Sequence, residues 1–293
     1  MPEGPEIRVI TEWLIKVLEG RYFRSVFYNE KSKYRNDGIK NHDLLHSYLP
    51  SRISNISCKG KLIVISLECG LYITSQLGTE GKWSTQSFNH SDLWIEYGDY
   101  SGIFFITNTL YFDDSRHQGH FNIYMSYEEL LNDKLKNFGI DLLALSIGSL
   151  NYYVNPNISY DDAYNKWYYE LKNPRISKKQ IWDFLLNDQK RFCGIGNYLQ
   201  SEILYASGIK HERSLDSLSD QDISNLFYYA VNIMYESYQS RGLTIKSYWD
   251  PEGKPGTFQK KVYKQEYDPY GRKVHSIKLK GGRTGYWVPE AQF

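Results

Sequence analysis

The sequence predicts an α+β fold: an antiparallel β-sandwich with one leading helix, followed by a helical region that ends in a β-hairpin. Three observations support this class. Residues 3–19 space their apolar side chains as a helix does, residues 21–125 alternate short apolar runs with turns, and helical periodicity returns after residue 159. The 293 residues are enough for one large domain or two medium ones.

The leading helix predicted over 3–19 has one apolar face and ends at Gly20. That face is formed by Ile7, Ile10, Trp13, Leu14, Val17 and Leu18. Strands are predicted at 62–67, 71–77, 93–97, 103–107 and 110–112, with turn residues between them. This spacing is typical of an antiparallel sandwich or flattened barrel with a helix laid on it.

The sequence pattern changes from strand-like to turn-rich and then helical after residue 125. We predict an N-terminal domain over 1–125, an interdomain connection rich in Asn/Ser turns over 126–158, and a helical domain over 159–293. Helices are predicted at 160–172, 177–188, 197–207 and 219–240. In the Gly- and aromatic-rich tail, two strands at 274–279 and 285–288 flank a glycine pair.

The charge of the chain is unevenly distributed. Residues 241–293 hold 11 Lys/Arg and 5 Asp/Glu, a net of +6, whereas residues 1–240 hold 24 and 29, a net of −5. A basic segment interleaved with aromatic residues is typical of a surface that neutralises phosphates. A solvated basic tail is the alternative interpretation.

The cysteines and the hydropathy pattern narrow the class of protein. Cys58, Cys69 and Cys193 form no CxxC pair, so they predict neither a disulfide framework nor a zinc quartet. The sequence has no apolar run long enough to span a bilayer and no basic-then-apolar leader. We expect an intracellular protein without a membrane partner, and the nuclear, cytoplasmic and viral compartments stay open.

The first six residues read MPEGPE, so removal of Met1 leaves an N-terminal proline beside two carboxylates. The secondary amine of Pro2 can form a charged Schiff base with an aldehyde-like carbon, and an α-amine with a pKa of about 8 is partly unprotonated near neutral pH. Glu3 and Glu6 are candidate proton carriers. Alternatively, these residues simply begin a helix.

Two further motifs concern anions. Lys61 enters a strand directly after a glycine, where it faces a negative charge or serves as an edge-strand gatekeeper. Asn197 begins a helix after Gly194-Ile195-Gly196, where amide donors can face an anion or form an ordinary helix corner. Glu202, one turn further on, is predicted to accept the amide protons of that turn.

The last motif is a glycine-flanked arginine, Arg283, in the sequence GGRTGYW. It is predicted at the tip of a hairpin, where the guanidinium can clamp a phosphate with two parallel hydrogen bonds. An exposed turn arginine without a role is the alternative.

Together these motifs resemble the formamidopyrimidine-DNA glycosylase/endonuclease VIII family of base-excision repair enzymes. The matching pieces follow family order along the whole chain: Pro2-Glu3-Gly4-Pro5-Glu6, Gly60-Lys61, Leu77-Gly78-x-x-Gly81, Asp114-x-Arg116-x-x-Gly119, Gly194-Ile195-Gly196-Asn197-Tyr198-x-x-x-Glu202, Asp250-Pro251-x-Gly253-x-Pro255-Gly256 and Arg283. The resemblance implies a helix–two-turn–helix element at about 177–207 and a hairpin finger at about 257–293. It also implies a DNA-binding cleft between the domains.

The resemblance implies roles for individual residues. Pro2 would attack C1′ of the damaged nucleotide, and Glu3 would protonate the deoxyribose ring oxygen. Glu6 corresponds to the second N-terminal carboxylate. Phosphate contacts around the flipped nucleotide are implied for Lys61, Asn197 and Arg283.

This chain departs from the family pattern at the finger. Zinc-bearing relatives hold the finger with two CxxC pairs, and the corresponding positions here are Tyr267, Tyr270, Val288 and Ala291. We therefore expect no metal and no other cofactor, with aromatic packing in place of zinc. This is the pattern of the zincless-finger branch of endonuclease VIII-like proteins, and the AT-rich coding composition is compatible with its giant-virus member.

Other departures fall where the family inserts side chains into the gap left by the flipped base. Thr79 replaces the usual methionine, and Arg116-His117-Gln118 replaces Arg-Arg-Phe. Arg116 can still contact the orphaned base, and Gln118 offers hydrogen bonds in place of a wedge. These changes bear on the choice of opposite base rather than on the reaction.

The resemblance implies a monomeric, bifunctional DNA glycosylase/lyase that removes oxidised bases from damaged DNA, duplex or also single-stranded, preferably pyrimidines and hydantoins. One alternative is the same chemistry with a preference for 8-oxoguanine and formamidopyrimidine. Another is a binder of damaged DNA that has lost turnover, against which the Pro2-Glu3 start argues.

Overall fold

The computed structural model describes residues 2–243 and 255–293. In these residues the α-helices are α1 (Gly4–Leu18), α2 (Tyr34–Asp37), α3 (His42–Leu45), α4 (Tyr127–Asp133), α5 (Ala144–Ile147), α6 (Tyr160–Leu171), α7 (Ile181–Asn187), α8 (Asn197–Ala206) and α9 (Asp220–Gln239). The 3₁₀ helices are His46–Tyr48, Leu135–Asn137, Pro174–Ile176, Leu215–Ser217 and Lys280–Gly282. The strands are β1 (Tyr22–Tyr28), β2 (Ser51–Lys59), β3 (Leu62–Leu67), β4 (Tyr72–Gln76), β5 (Lys82–Ser84), β6 (Ser91–Ser101), β7 (Phe104–Asp113), β8 (His120–Tyr124), β9 (Ile140–Asp141), β10 (Phe192–Cys193), β11 (His275–Lys278) and β12 (Thr284–Trp287).

Eight strands form one antiparallel sheet in the order β5-β7-β6-β1-β2-β3-β4-β8. Its two edges face each other across the core, because Trp83 on β5 lies 6.3 Å from Phe121 on β8 between ring centroids. The indole Nε1 of Trp83 also donates to Ser75 on β4 at 3.2 Å. The sheet is therefore folded over into the predicted sandwich.

Helix α1 packs on this sandwich through the face that its apolar spacing predicts. Ile7, Ile10, Leu14 and Leu18 are buried in the same core as Phe23 of β1. Each such side chain contributes roughly 1.5–3 kcal/mol by leaving water. At the start of the helix, Glu3 and Glu6 form a reciprocal capping box, which satisfies backbone donors of the first turn.

A second core lies among helices α6 to α9. Trp167 of α6 is fully buried there, and its ring contacts Phe192 with centroids 4.8 Å apart. Strand β10, which holds Phe192, pairs in parallel with β9 of the connection, Phe192 opposite Ile140. Through this pair, the chain between the cores is tied to the segment that leads into α8.

Two predicted elements have different bounds in the structure. The runs 103–107 and 110–112 form the single strand β7, because β6 pairs with every residue from Phe104 to Phe112, including Asn108 opposite Tyr97 and Thr109 opposite Glu96. The helix predicted over 177–188 begins only at Ile181. Gln180 before it has an extended backbone and bridges to Ser214, so it cannot join the helix.

The terminal hairpin consists of β11 and β12, with Lys278 opposite Thr284. Gly281 and Gly282 form its tip with φ of +76° and +75°, a conformation that favours glycine. The Leu279 amide donates to the carbonyl of Arg283 at 2.9 Å and closes the loop. Arg283 therefore has a fixed position directly after the tip.

Candidate active site

Glu3 lies between the two cores and is only 2% exposed. Its carboxylate accepts three backbone N–H groups at the start of α8: Gly196 at 2.7 Å, Tyr198 at 2.9 Å and Leu199 at 3.3 Å. The start of a helix is a favourable place for an anion. The amides expected to face an external anion are thus occupied by a carboxylate of the same chain.

The protonation of Glu3 is set by this environment. Burial raises the pKa of Glu3 to about 7, the nearby Lys61 ammonium lowers it, and the Glu6 carboxyl group raises it again. At neutral pH, Glu3 is therefore divided between its acid and its carboxylate. A group in this state can deliver a proton to a neighbouring atom, as general acid catalysis requires.

Glycines allow the two domains to approach at Glu3. A Cβ on Gly196 would overlap the Glu3 carboxyl group, so the turn before α8 accepts no larger residue without displacing it. The Gly4 amide donates to the carbonyl of Gly194 at 2.8 Å, and Gly194 has φ of +102°. The N-terminal residues therefore pack directly against the Gly-Ile-Gly motif. Pro2, which precedes Glu3, is buried.

Glu6 lies beside Glu3 but accepts hydrogen bonds from a separate set of donors. Its carboxylate accepts the Glu3 amide, the Tyr198 hydroxyl and the Leu243 amide, each at 2.9 Å. Burial raises the pKa of Glu6, which these hydrogen bonds oppose. Glu6 thus joins α1 to α8 and to the segment after α9. Tyr198, which the sequence analysis did not single out as a site residue, completes this link.

Lys61 extends into the same junction. Its ammonium donates to the carbonyl of Ile195 at 2.8 Å, and its charge interacts with Glu3. Burial lowers the pKa of Lys61, the Glu3 carboxylate raises it, and the Arg283 guanidinium lowers it. Glu3 and Lys61 therefore form a charged cluster in this junction, and the charge of Arg283 acts on Lys61, although the sequence separates the three residues widely.

Arg283 lies partly exposed next to this cluster. Within residues 2–243 and 255–293, its guanidinium has no hydrogen bond or ion pair. A fixed hairpin position with an uncommitted guanidinium suits the binding of an external anion.

Asn197 and Glu202 face the finger from α8. The Asn197 amide group donates to the carbonyl of Thr284 at 2.9 Å, so it holds β12. Glu202 accepts the amides of Lys261, Val262 and Tyr263 at 2.9, 3.0 and 2.8 Å. The expectation that Glu202 ties down the turn before α8 is wrong, because Glu3 already occupies those amides.

The finger is held together differently from the expectation. Tyr267 and Tyr270 are 53% and 80% exposed, so they do not form its core. A small apolar cluster does, made of Tyr205, Val262, Val274 and Val288, with Tyr286 and Ala291 packed against it. The Asp268 carboxylate adds bonds from the Tyr205 hydroxyl at 3.0 Å and from the Arg272 amide at 2.8 Å.

The residues expected to fill the gap after base flipping lie together. Thr79 donates a hydrogen bond to Gln118, and a Cβ on Gly78 would contact Gln118, which keeps the two loops close. Arg116 forms an ion pair with Glu80 at 2.9 Å. The sequence analysis missed Glu80, although it stands inside the quoted 77–81 motif. Arg116 is therefore tethered to its neighbouring loop.

Neither a metal cluster nor a membrane span is found in the described ranges. They contain no group of three or more His, Cys, Asp or Glu residues able to hold a metal ion. Their helices are all too short or too polar to cross a membrane. Of the 250–256 motif, residues 250, 251 and 253 lie outside the described residues.

Residues 1–121 match the sequence model of the formamidopyrimidine-DNA glycosylase N-terminal domain. Over 302 residues, the chain is 28% identical to the formamidopyrimidine-DNA glycosylase of Exiguobacterium sp., with 100% of this chain and 99% of that protein covered. It is also 25% identical over 299 residues to the protein of that name from Thermus thermophilus, covering 100% of this chain and 98% of that protein.

The fold is also similar to solved structures. The crystal structure of the MutM (Fpg) protein from Thermus thermophilus has a TM-score of 0.79 at 24% identity, covering 99% of this chain and 98% of that one. Lactococcus lactis Fpg bound to abasic-site DNA has a TM-score of 0.78 at 20% identity, with 99% of both chains covered. The chain is thus similar to formamidopyrimidine-DNA glycosylases along their whole length, and its residues 1–121 match the model of their N-terminal domain.

Proposed function

We propose that this protein is a bifunctional DNA glycosylase/lyase of base-excision repair, in which the N-terminal amine of Pro2 attacks the damaged nucleotide. The observation that most supports it is Glu3: a buried carboxyl group with a pKa of about 7, one residue from that amine and beside the Lys61 ammonium. This arrangement provides a nucleophile, a proton donor and a cation at one point.

The proposed reaction starts when the Pro2 nitrogen forms a bond to C1′ and the C1′–O4′ bond opens. Glu3 gives its proton to O4′ as that bond breaks. The nitrogen then gives up its N–H proton, and its regained lone pair expels the base. The base leaves with the electrons of the glycosidic bond and takes up that proton, and an iminium ion remains between the Pro2 nitrogen and C1′. The iminium acidifies the C2′ proton, so β-elimination and then δ-elimination release the two phosphates and break the strand.

We propose DNA as the partner, bound between the two cores by the basic C-terminal segment. Its net charge of +6 favours a polyanion, and we propose that Lys61 and Arg283, whose charges act on each other, contact the phosphates flanking a flipped nucleotide. The relatives of known structure include Lactococcus lactis Fpg in complex with abasic-site DNA. We propose that the chain acts as a monomer.

Arg283→Ala is expected to weaken binding of lesion DNA by roughly 1.5–3 kcal/mol, because one charged hydrogen-bonding group is lost. The affinity of Arg283→Lys should lie between those of wild type and Arg283→Ala, since lysine keeps the charge but not the fork geometry of the guanidinium. Lys16→Ala, an exposed cation on α1, serves as the control. Fluorescence anisotropy with a duplex containing an abasic analogue measures the affinity, and equal affinity of Arg283→Ala and wild type would contradict this role.

We further propose that the protein belongs to the zincless-finger branch of endonuclease VIII-like enzymes. The support is the apolar cluster around Val288, one of the four positions at which zinc-bearing relatives have cysteines. Chelators are expected to leave activity intact, and elemental analysis should find no stoichiometric zinc. One zinc ion per chain in the purified protein would contradict this assignment.

As substrates we propose oxidised pyrimidines and hydantoins. The alternative is a preference for 8-oxoguanine and formamidopyrimidine, and it is supported by the relatives, which are named formamidopyrimidine-DNA glycosylases. The two substrate classes are distinguished by single-turnover excision rates, measured for each lesion in duplex, bubble and single-stranded DNA of the same sequence. We expect dihydrouracil, thymine glycol and hydantoins to be released faster than 8-oxoguanine, and the reverse order would favour the alternative. Release of none of these bases would refute a glycosylase.

The excision rate is expected to depend on pH as a bell-shaped curve. Glu3 must be protonated, so the rate falls as pH rises above the raised pKa of about 7. The Pro2 amine must be unprotonated, so the rate also falls below its pKa of about 8. The maximum is expected between these values. A rate that stays constant from pH 7 to pH 9 in single-turnover assays would argue against Glu3 as the acid.

A further inference from the structure

A cavity of about 350 Å³ lies where the connection meets both cores, and its lining does not include Glu3, Lys61 or Arg283. We call it the connection pocket. Its lining comes from the end of β2, from residues 138–158, from α6 and from the loop before β10; Lys59, Asn155 and Lys166 represent three of these segments. Such a volume lies in the range of small-molecule sites.

Two polar side chains in this lining have no hydrogen-bond partner among the described residues. Asn155 is 4% exposed, and although its backbone amide donates to Asn151, its side-chain amide has no hydrogen-bond partner in the described parts of the chain. The Ser149 hydroxyl oxygen is buried and unpartnered in the same sense. Buried polar groups are nearly always paired, so these two point to a ligand that completes them.

The charge of the pocket is positive. Lys59, Lys166 and Lys190 line it, and among the described residues none of the three has an ion pair or a side-chain hydrogen bond. Lys59 is partly buried, which lowers its pKa. Asp141 is the only carboxylate in this lining, and its two oxygens accept the amides of Gly60 at 2.8 Å and Leu143 at 3.1 Å. It keeps its negative charge and raises the pKa of Lys59, but it is one carboxylate facing three lysines.

The rest of the wall is apolar, with Phe138, Ile140, Leu145 and Ile158 among its members. A free inorganic ion would leave this part of the wall without contact. From the ammonium groups, the unpartnered amide and hydroxyl, and this apolar wall, we propose that the connection pocket binds a small organic phosphate, of which a nucleoside monophosphate is a representative. This proposal is independent of the reaction proposed above.

The pocket adjoins the candidate active site through one turn of the chain. Asp141 in the pocket wall holds the amide of Gly60, and Gly60 separates Lys59 of the pocket from Lys61 of the junction. A Cβ on Gly60 would contact Cys193, so this turn is closely packed against β10. A ligand on Lys59 therefore binds directly behind the turn that presents Lys61.

The test is isothermal titration calorimetry of the full-length protein with dTMP, thymidine and inorganic phosphate. We expect saturable binding of dTMP, with weaker binding of thymidine and of phosphate, because each lacks one half of the recognised chemistry. Asn155→Leu and Lys59→Gln should weaken dTMP binding at least about tenfold, as expected for a lost charged hydrogen bond. Lys16→Gln, which changes an exposed lysine on α1, should bind like wild type.

Three results would overturn the proposal: no saturable dTMP binding, equal affinity in wild type and the pocket variants, or displacement of dTMP by an undamaged duplex, which would assign the pocket to the DNA backbone. If a buried variant fails to fold, the double variant Lys166→Gln/Lys190→Gln takes its place. Both of these lysines are exposed at the rim of the pocket. The double variant is expected to weaken dTMP binding as well, and unchanged affinity would also overturn the proposal. Because binding is measured without DNA damage, failure here leaves the glycosylase proposal untouched.

Discussion

Protein that retains Met1 is expected to form no borohydride-trapped adduct with DNA and to cut no abasic site above background. The amine of Pro2 is then an amide nitrogen, whose lone pair is delocalised into the peptide bond and cannot attack C1′. Such protein is obtained from cells in which methionine aminopeptidase is inhibited, and intact mass confirms that Met1 is present.

The matched control is the same preparation after treatment with purified methionine aminopeptidase. Removal of Met1 should restore trapping and strand cleavage to the level of the normally processed protein. Undiminished cleavage by protein that still contains Met1 would exclude Pro2 as the nucleophile.

Glu3→Gln is expected to slow base excision by about 10²–10⁴-fold, the usual contribution of a positioned general acid. The amide nitrogen of glutamine would also face either the Tyr198 N–H or the N–H groups of Gly196 and Leu199, so stability should fall by about 1–3 kcal/mol. Cleavage of a preformed abasic site should suffer less, since its sugar ring opens without the enzyme's proton.

Glu202→Gln is the matched control, because Glu202 is also buried and also accepts three backbone amides. It should lose similar stability and keep its excision rate once all DNA is bound, as judged by single-turnover kinetics and thermal melting. If Glu3→Gln releases dihydrouracil or thymine glycol at the wild-type rate, Glu3 is not the acid.

The local parts of this structure could be predicted from the sequence. Helices α1 and α9 follow from apolar spacing within one segment, and the hairpin tip at Gly281-Gly282 from the need for positive φ. The continuous strand β7 could not, because its pairing with β6 keeps Asn108 extended against its own preference.

The partners of the site residues depend on contacts that no local pattern contains. Glu3 and Gly196 are 193 positions apart in the sequence, and only the packing of the two cores joins them. The role assigned to Glu202 failed for this reason, since Glu3 occupies the amides that a local argument gave to it. Similarly, Tyr267 and Tyr270 suggested an aromatic core for the finger, but the structure exposes both.

The central claim is that Pro2 becomes covalently bound to the damaged nucleotide, and peptide mapping of the borohydride-trapped protein–DNA adduct tests it most directly. We predict one adduct, on the N-terminal peptide that begins at Pro2. Lys61 is the informative competitor, because burial lowers its pKa and it lies close to Glu3. An adduct on Lys61 would contradict Pro2 as the nucleophile, and the absence of any adduct would make the protein a binder of damaged DNA rather than a lyase.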